Sequence, residues 1–185
     1  MRRRAAVARR QASALLLALC CVGAGLLPSL AMAGDDLELK VKAAFLFNFV
    51  KFVSWPPERR PADGQPYQLC MIDAAAFASV LTEAVRDKQI SGHPLQVRSL
   101  HPGDALDGCH VAYVASDDPI TAEARLRAGA GLGVLTVHEA RSAINSGVVR
   151  FFQEDRRVRF EVNTAAADQQ HLQLSSRLLG VATRL

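Results

Sequence analysis

Hydrophobic and polar positions over residues 38–53 repeat with helical period. On a helical wheel Phe45, Leu46, Phe49, Val50, Phe52 and Val53 share one broad arc, and Lys40, Ala44, Asn48 and Lys51 share the opposite side. An arc of that width predicts a helix docked on a core, and Pro56-Pro57 should stop it. A helix lying on a membrane would need more cations on its polar side, so membrane insertion is not expected. Lys42 falls inside the apolar arc near the helix start, where its stem is expected to carry the ammonium outward. Phe47 falls on the polar side, beside Lys40 and Lys51. Either the following chain covers it or it serves an interface, where aromatics are enriched. Phe47, Lys40 and Lys51 are therefore the candidate contact surface, for a second copy or for another protein.

Downstream the pattern changes to short apolar runs. Residues 67–72 predict a buried strand, followed by a helix capped by Asp73 and running to about Lys88. After a turn at 91–94, residues 95–100 alternate as a strand does. Residues 109–115 predict a further strand, a helix follows from about Pro119 to Ala128, and residues 133–137 predict another strand. A short helix is expected at 140–145. Residues 148–153 and 157–163, joined by the polar turn Glu154-Asp155-Arg156, predict a hairpin. The segment from Ala165 to Leu185 is expected to be helical, with a break near Leu174-Ser175. Strands alternating with helices predict an α/β domain: a mostly parallel sheet of about six strands with a C-terminal antiparallel hairpin and helices on both faces.

Residues 1–33 change the compositional picture. Five arginines precede an apolar run from Ala12 to Leu30, which ends in Ala31-Met32-Ala33. That is the layout of a Sec signal cleaved before Gly34, leaving one exported domain at 34–185. A retained anchor and a lipoprotein are the competing readings. Gly23, Gly25 and Pro28 interrupt the run, and Leu19 is bulky for the position before a lipidated Cys20. The whole chain carries 22 Lys+Arg against 18 Asp+Glu; without the five leading arginines the balance is 17 against 18. No basic surface remains to suggest nucleic acid.

Candidate chemistry is sparse. Gly129–Gly133 follows a helix and precedes a strand, the reverse of a phosphate-binding loop. The five histidines are scattered, with no pair at i, i+4 for a metal. Cys109 and His110, neighbours in an extended strand, point to opposite faces and cannot act together. Asp117-Asp118 before Pro119 predicts a helix cap, and Ser175-Ser176 local capping. These readings point to a non-enzymatic protein with no catalytic residue, metal or cofactor. Cys70 and Cys109 are the cysteines left after cleavage. A common doubly wound order sets the first and third strands side by side, about 4.8 Å apart, close enough for a disulfide if the register allows. Export favours the bond; burial as two small apolar side chains is the alternative.

The opening segment VKAAFLFNFVKFVSWP resembles the first helix of the YfiR family of periplasmic proteins. The stretches QLCMID, ISGHPLQVRSL, GCHVAYVAS, GVLTVHE and VRFEVNTAAADQQHLQLSSRLLGVA resemble it too, over about 38–183. The resemblance implies a regulator that represses an inner-membrane GGDEF diguanylate cyclase through its periplasmic region, tuning cyclic di-GMP. It also implies release by an outer-membrane-linked partner or envelope stress, with cysteine redox state as one input. Members with extra cysteines near the last hairpin form a second bridge; Asn145 and Phe152 stand in that region here. A periplasmic small-ligand carrier, with its pocket beyond the C-terminal strand ends, is the other reading.

Overall fold

The amphipathic opening segment forms helix α1 (Leu30–Phe52). The computed structural model describes residues 30–101, 103–116, 118–139 and 146–184. The expected signal up to residue 29, Asp117 and the helix expected at 140–145 lie outside the described residues. Residues Asp36–Leu185 cluster as one compact unit.

After α1 come strand β1 (Val53–Ser54), a 3-10 turn at Pro57–Arg59, strand β2 (Tyr67–Ile72) and helix α2 (Ala75–Val85). Strands β3 (Gln89–Ile90), β4 (His93–Leu100) and β5 (Val111–Val114) lead to helix α3 (Pro119–Ala128) and strand β6 (Leu135–Glu139). Strands β7 (Val149–Glu154) and β8 (Arg157–Val162) form the hairpin. Helix α4 (Thr164–Gln169), strand β9 (Gln173–Leu174), helix α5 (Ser176–Val181) and strand β10 (Thr183–Arg184) complete the chain. The expected C-terminal helix is thus two short helices separated by β9, which pairs with β1 rather than continuing the coil.

The main sheet runs β10-β8-β7-β6-β5-β2-β4-β3. Its five central strands, β4, β2, β5, β6 and β7, are parallel; β8 returns antiparallel. Chain order reverses between β2 and β5, as in doubly wound sheets. Two hairpin turns carry paired left-handed residues: Ser91 and Gly92 at φ 52° and 83°, and Asp155 and Arg156 at φ 50° and 59°. Positive φ at both central positions matches the twist of the flanking strands, which is why each turn closes in two residues.

Pleating divides the core. Leu69, Met71, Val111, Tyr113, Leu135, Val137 and Phe151 lie in the cluster that α1 and α2 cover, with Leu46, Phe49, Phe77 and Leu81 packed among them. Phe49 stacks at 5.7 Å on Phe151 and meets Phe160 edge-on at 4.9 Å, and Phe45 meets Phe160 at 5.2 Å. Cys70, Ile72, Ala112 and Val114 belong to a second, smaller cluster that α3 closes with Ala122 and Leu126. Asp118 caps α3, accepting from Ile120 N at 3.3 Å and Thr121 N at 2.9 Å.

Three local expectations are corrected. Asp73 does not cap α2; it sits left-handed at φ 55°, and Ala74 holds the cap position without a side-chain bond. The turn expected at 91–94 is narrower, because Gln89–Ile90 pairs with His93 and Pro94. Lys42 does not carry its charge outward. It is 4% exposed, and its ammonium binds Glu38 at 2.5 Å and Glu139 at 2.8 Å.

Candidate functional site

Cys70 lies mid-β2 and Cys109 lies two residues before β5; their sulfurs are bonded, with Cα atoms 5.9 Å apart. Strands β2 and β5 are adjacent, with Leu69 opposite Val111. Continuing that register backwards would set Cys109 beside Tyr67, about 10 Å along the strand from Cys70 at 3.3 Å per residue. The observed 5.9 Å requires the chain before β5 to bend across the sheet face, and the Cys109 N–H accordingly bonds back to Leu106 O at 3.0 Å. Arg59 fastens this bend by donating from Nη2 to Cys109 O at 2.7 Å. Both cysteines are 0% exposed, under Leu106, Ala122, Leu126 and Val134. The bridge is therefore not of the exposed kind that solvent reductants reach easily.

The contact surface expected on α1 is partly assembled. Lys40 is exposed and bridges Asp36 at 2.5 Å; Lys51 is exposed, with its ammonium 5.5 Å from the Phe52 ring centre. Phe47 is half-buried against the core and lies under the Lys88 ammonium, 5.0 Å away. The chain after α2 thus covers one side of the ring, and the other reaches the surface. Leu37, Ala44 and Asn48 continue the exposed stripe beside the two lysines.

Two polar clusters escaped the sequence reading. At the start of the parallel strands, Gln68 N donates to His110 Nδ1 at 2.9 Å, and the imidazole packs edge-on against Tyr67 and Trp55 at 5.1 and 6.0 Å. Burial first, then the Arg59 guanidinium and His93, lower His110 to about 4, while a backbone bond to Arg59 acts the other way. Every residue of Val111–Val114 is buried, so no alternation marked His110 as inward. At the opposite end, Tyr113 Oη donates to the Glu139 carboxylate that also takes Lys42. Here a signal did exist: Glu38 stands four residues before Lys42, the favourable order for a helical ion pair.

Two hollows of about 410 Å³ open on the surface. One lies between the end of α2 and β4, the other between β8 and α5. Neither lies beyond the C-terminal ends of β2 and β5, where the carrier reading put its pocket. Among the described residues no group of His, Cys, Asp or Glu is arranged to hold a metal ion, and no helix is long and apolar enough to cross a membrane.

A mostly parallel α/β sheet pinned by a buried bridge defines an α/β domain of the doubly wound class. The YfiR/HmsC-like family model matches residues 39–183, from α1 to β10, and the chain belongs to that family. No curated protein gives a significant match. The family is a regulatory one, and it suggests a periplasmic role in diguanylate cyclase signalling.

Proposed function

We propose that this chain is a non-enzymatic periplasmic repressor of an inner-membrane GGDEF diguanylate cyclase. It binds the cyclase's periplasmic region and so restrains cyclic di-GMP synthesis across the membrane. An outer-membrane-linked protein relieves the restraint. The observation that carries this reading is the family match over residues 39–183. The stripe of Lys40, Lys51 and Phe47 supports it as a contact surface, for the cyclase or for a second copy in a homodimer. The Cys70–Cys109 bridge, formed after export, holds the domain in its binding conformation.

The test is deletion of the gene with cellular cyclic di-GMP measured. Cyclic di-GMP rises in the deletion strain and returns to its starting level when the intact gene is supplied. An unchanged level in a strain that makes the protein under the same conditions overturns the reading.

A further inference from the structure

The two edges of the sheet are protected unequally. At the β8 edge, β10 covers Glu161 and Val162, and exposed Arg157 and Arg159 stand along the rest, charges of the kind that discourage edge-to-edge pairing. The β4 edge is open beyond its first two residues. Only His93 and Pro94 pair with β3, whereas residues 95–100 pair with β2 on the inner side. Among the described residues no strand pairs with the outer side of 95–100. Two features fix which backbone groups point outward. Gln68 O accepts from His110 N, so the backbone of Gln68 faces β5 and that of its neighbour Leu69 faces β4. In a parallel ladder the residue opposite, Val97, then turns its own N–H and C=O away from β2. The two-residue turn at Ser91 and Gly92 agrees: the flanking His93 faces β3, and alternation along the strand again puts Leu95, Val97 and Ser99 outward.

That outward set is symmetric about Val97. β3 closes it before Leu95, and β4 ends at Leu100. A second β4 laid antiparallel about a two-fold axis through Val97 sets Val97 opposite Val97, Leu95 opposite Ser99 and Gln96 opposite Arg98. Sliding the register by two residues one way sets Arg98 against Arg98, a like-charge pair. Sliding it the other way brings Ser99 opposite His93, which β3 already holds. Charge fits the same arrangement. The axis places the two hollows at the ends of α2 on one face of the joined sheet, and Asp87 and Lys88 line each hollow side by side while Arg86 pairs with Glu83. Each copy thus brings an acid as well as a base to the seam, with half-buried Leu95 and Val97 as apolar footing. We propose that the β4 edge is the interface between two copies of this chain, which joins their eight-stranded sheets into one continuous sheet. The arrangement leaves the α1 stripe free for another protein, and it does not depend on the regulatory reading above.

Sedimentation equilibrium of the intact protein tests this, and a dimer in exchange with monomer is expected. Gln96→Glu puts a carboxylate opposite Arg98 twice, once on each side of the axis, and should tighten the dimer about fivefold; Gln96→Lys puts a cation there and should loosen it about fivefold. Gln96 and Arg98 are both exposed, so cooperative melting should survive either change. Val97→Pro removes an outward N–H at the axis, a change that an edge strand tolerates, and should leave a folded monomer. Phe47→Ala, on α1, should leave association unchanged. A monomer at every concentration overturns the proposal. So does a dimer that persists in folded Val97→Pro, or one with the same dissociation constant in Gln96→Glu and Gln96→Lys, since its contact lies on another face. If Val97→Pro does not fold, the two Gln96 variants decide alone. Unchanged cyclic di-GMP in the deletion strain bears on the regulatory reading only and leaves the dimer standing.

Discussion

His110 makes folding stability depend on pH through one nitrogen. In the folded protein Nδ1 accepts from Gln68 N, so a proton there removes that bond and charges a buried ring. Its folded value of about 4 lies below the usual 6.5, so the unfolded chain binds more protons at intermediate pH. The stabilisation is complete above 6.5 and is lost as pH falls toward 4, amounting to roughly 3 kcal/mol at about 1.36 kcal/mol per unit. Burial lowers His138 in the same direction. Urea unfolding between pH 7 and 4 should show this slope, and His110→Asn, whose amide oxygen can still accept from Gln68 N, should flatten it. Lys42 is the second residue whose charge is held inside. Lys42→Ala takes a buried ammonium away from both Glu38 and Glu139 and should cost about 3 kcal/mol in chemical unfolding; Lys42→Met, which keeps the packed stem, should cost less. The two aromatics of α1 are separable in the same way. Phe49→Ala empties a fully buried position and should cost about 3–5 kcal/mol, whereas half-buried Phe47→Ala should cost about 1 kcal/mol.

At the scale of elements, helix α3 is the lid of the disulfide, since Ala122 and Leu126 pack on the cluster that contains both cysteines. Reduction in the native state must wait for that helix to lift. Asp118→Ala removes the cap of α3, worth about 1 kcal/mol, and should speed reduction by dithiothreitol about fivefold, followed by alkylation and mass spectrometry. Unreduced protein denatured in alkylating agent should show neither thiol free. Closing the 39-residue separation should contribute about 3–4 kcal/mol, read as the stability lost in Cys70→Ser with Cys109→Ser. The elements themselves were largely legible in the chain. Helix α3 spans the expected 119–128, because Asp118-Pro119 specifies a start by cap and fixed φ. The adjacency of β2 and β5 was legible from topology, but the bend that brings Cys109 to Cys70 was not, since it depends on Arg59, fifty positions away. At the C-terminal end the break near Leu174-Ser175 was legible, but not that Gln173–Leu174 would pair with β1 as a strand, since that pairing is long-range. Of the α1 surface, the wheel placed Lys40 and Lys51 outside but could not foresee Lys88 over the Phe47 ring.

At the scale of the whole molecule, the chain fastens its beginning to its end. Val53 pairs with Leu174 and Ser54 with Gln173, and Ser175 N donates to Phe52 O at 3.0 Å. Leu172 and Leu178 enter the same core cluster as Leu46 and Phe49. A chain ending at Gln169 lacks those partners and should show no cooperative thermal transition by circular dichroism. The closure also sets a timetable. Helix α1 is made well before β9, the strand that holds its exit. Until Leu172 and Leu178 have joined the core, the aromatic face of α1 has no complete seat. A domain closed in this way cannot finish its core in the order in which its parts are made.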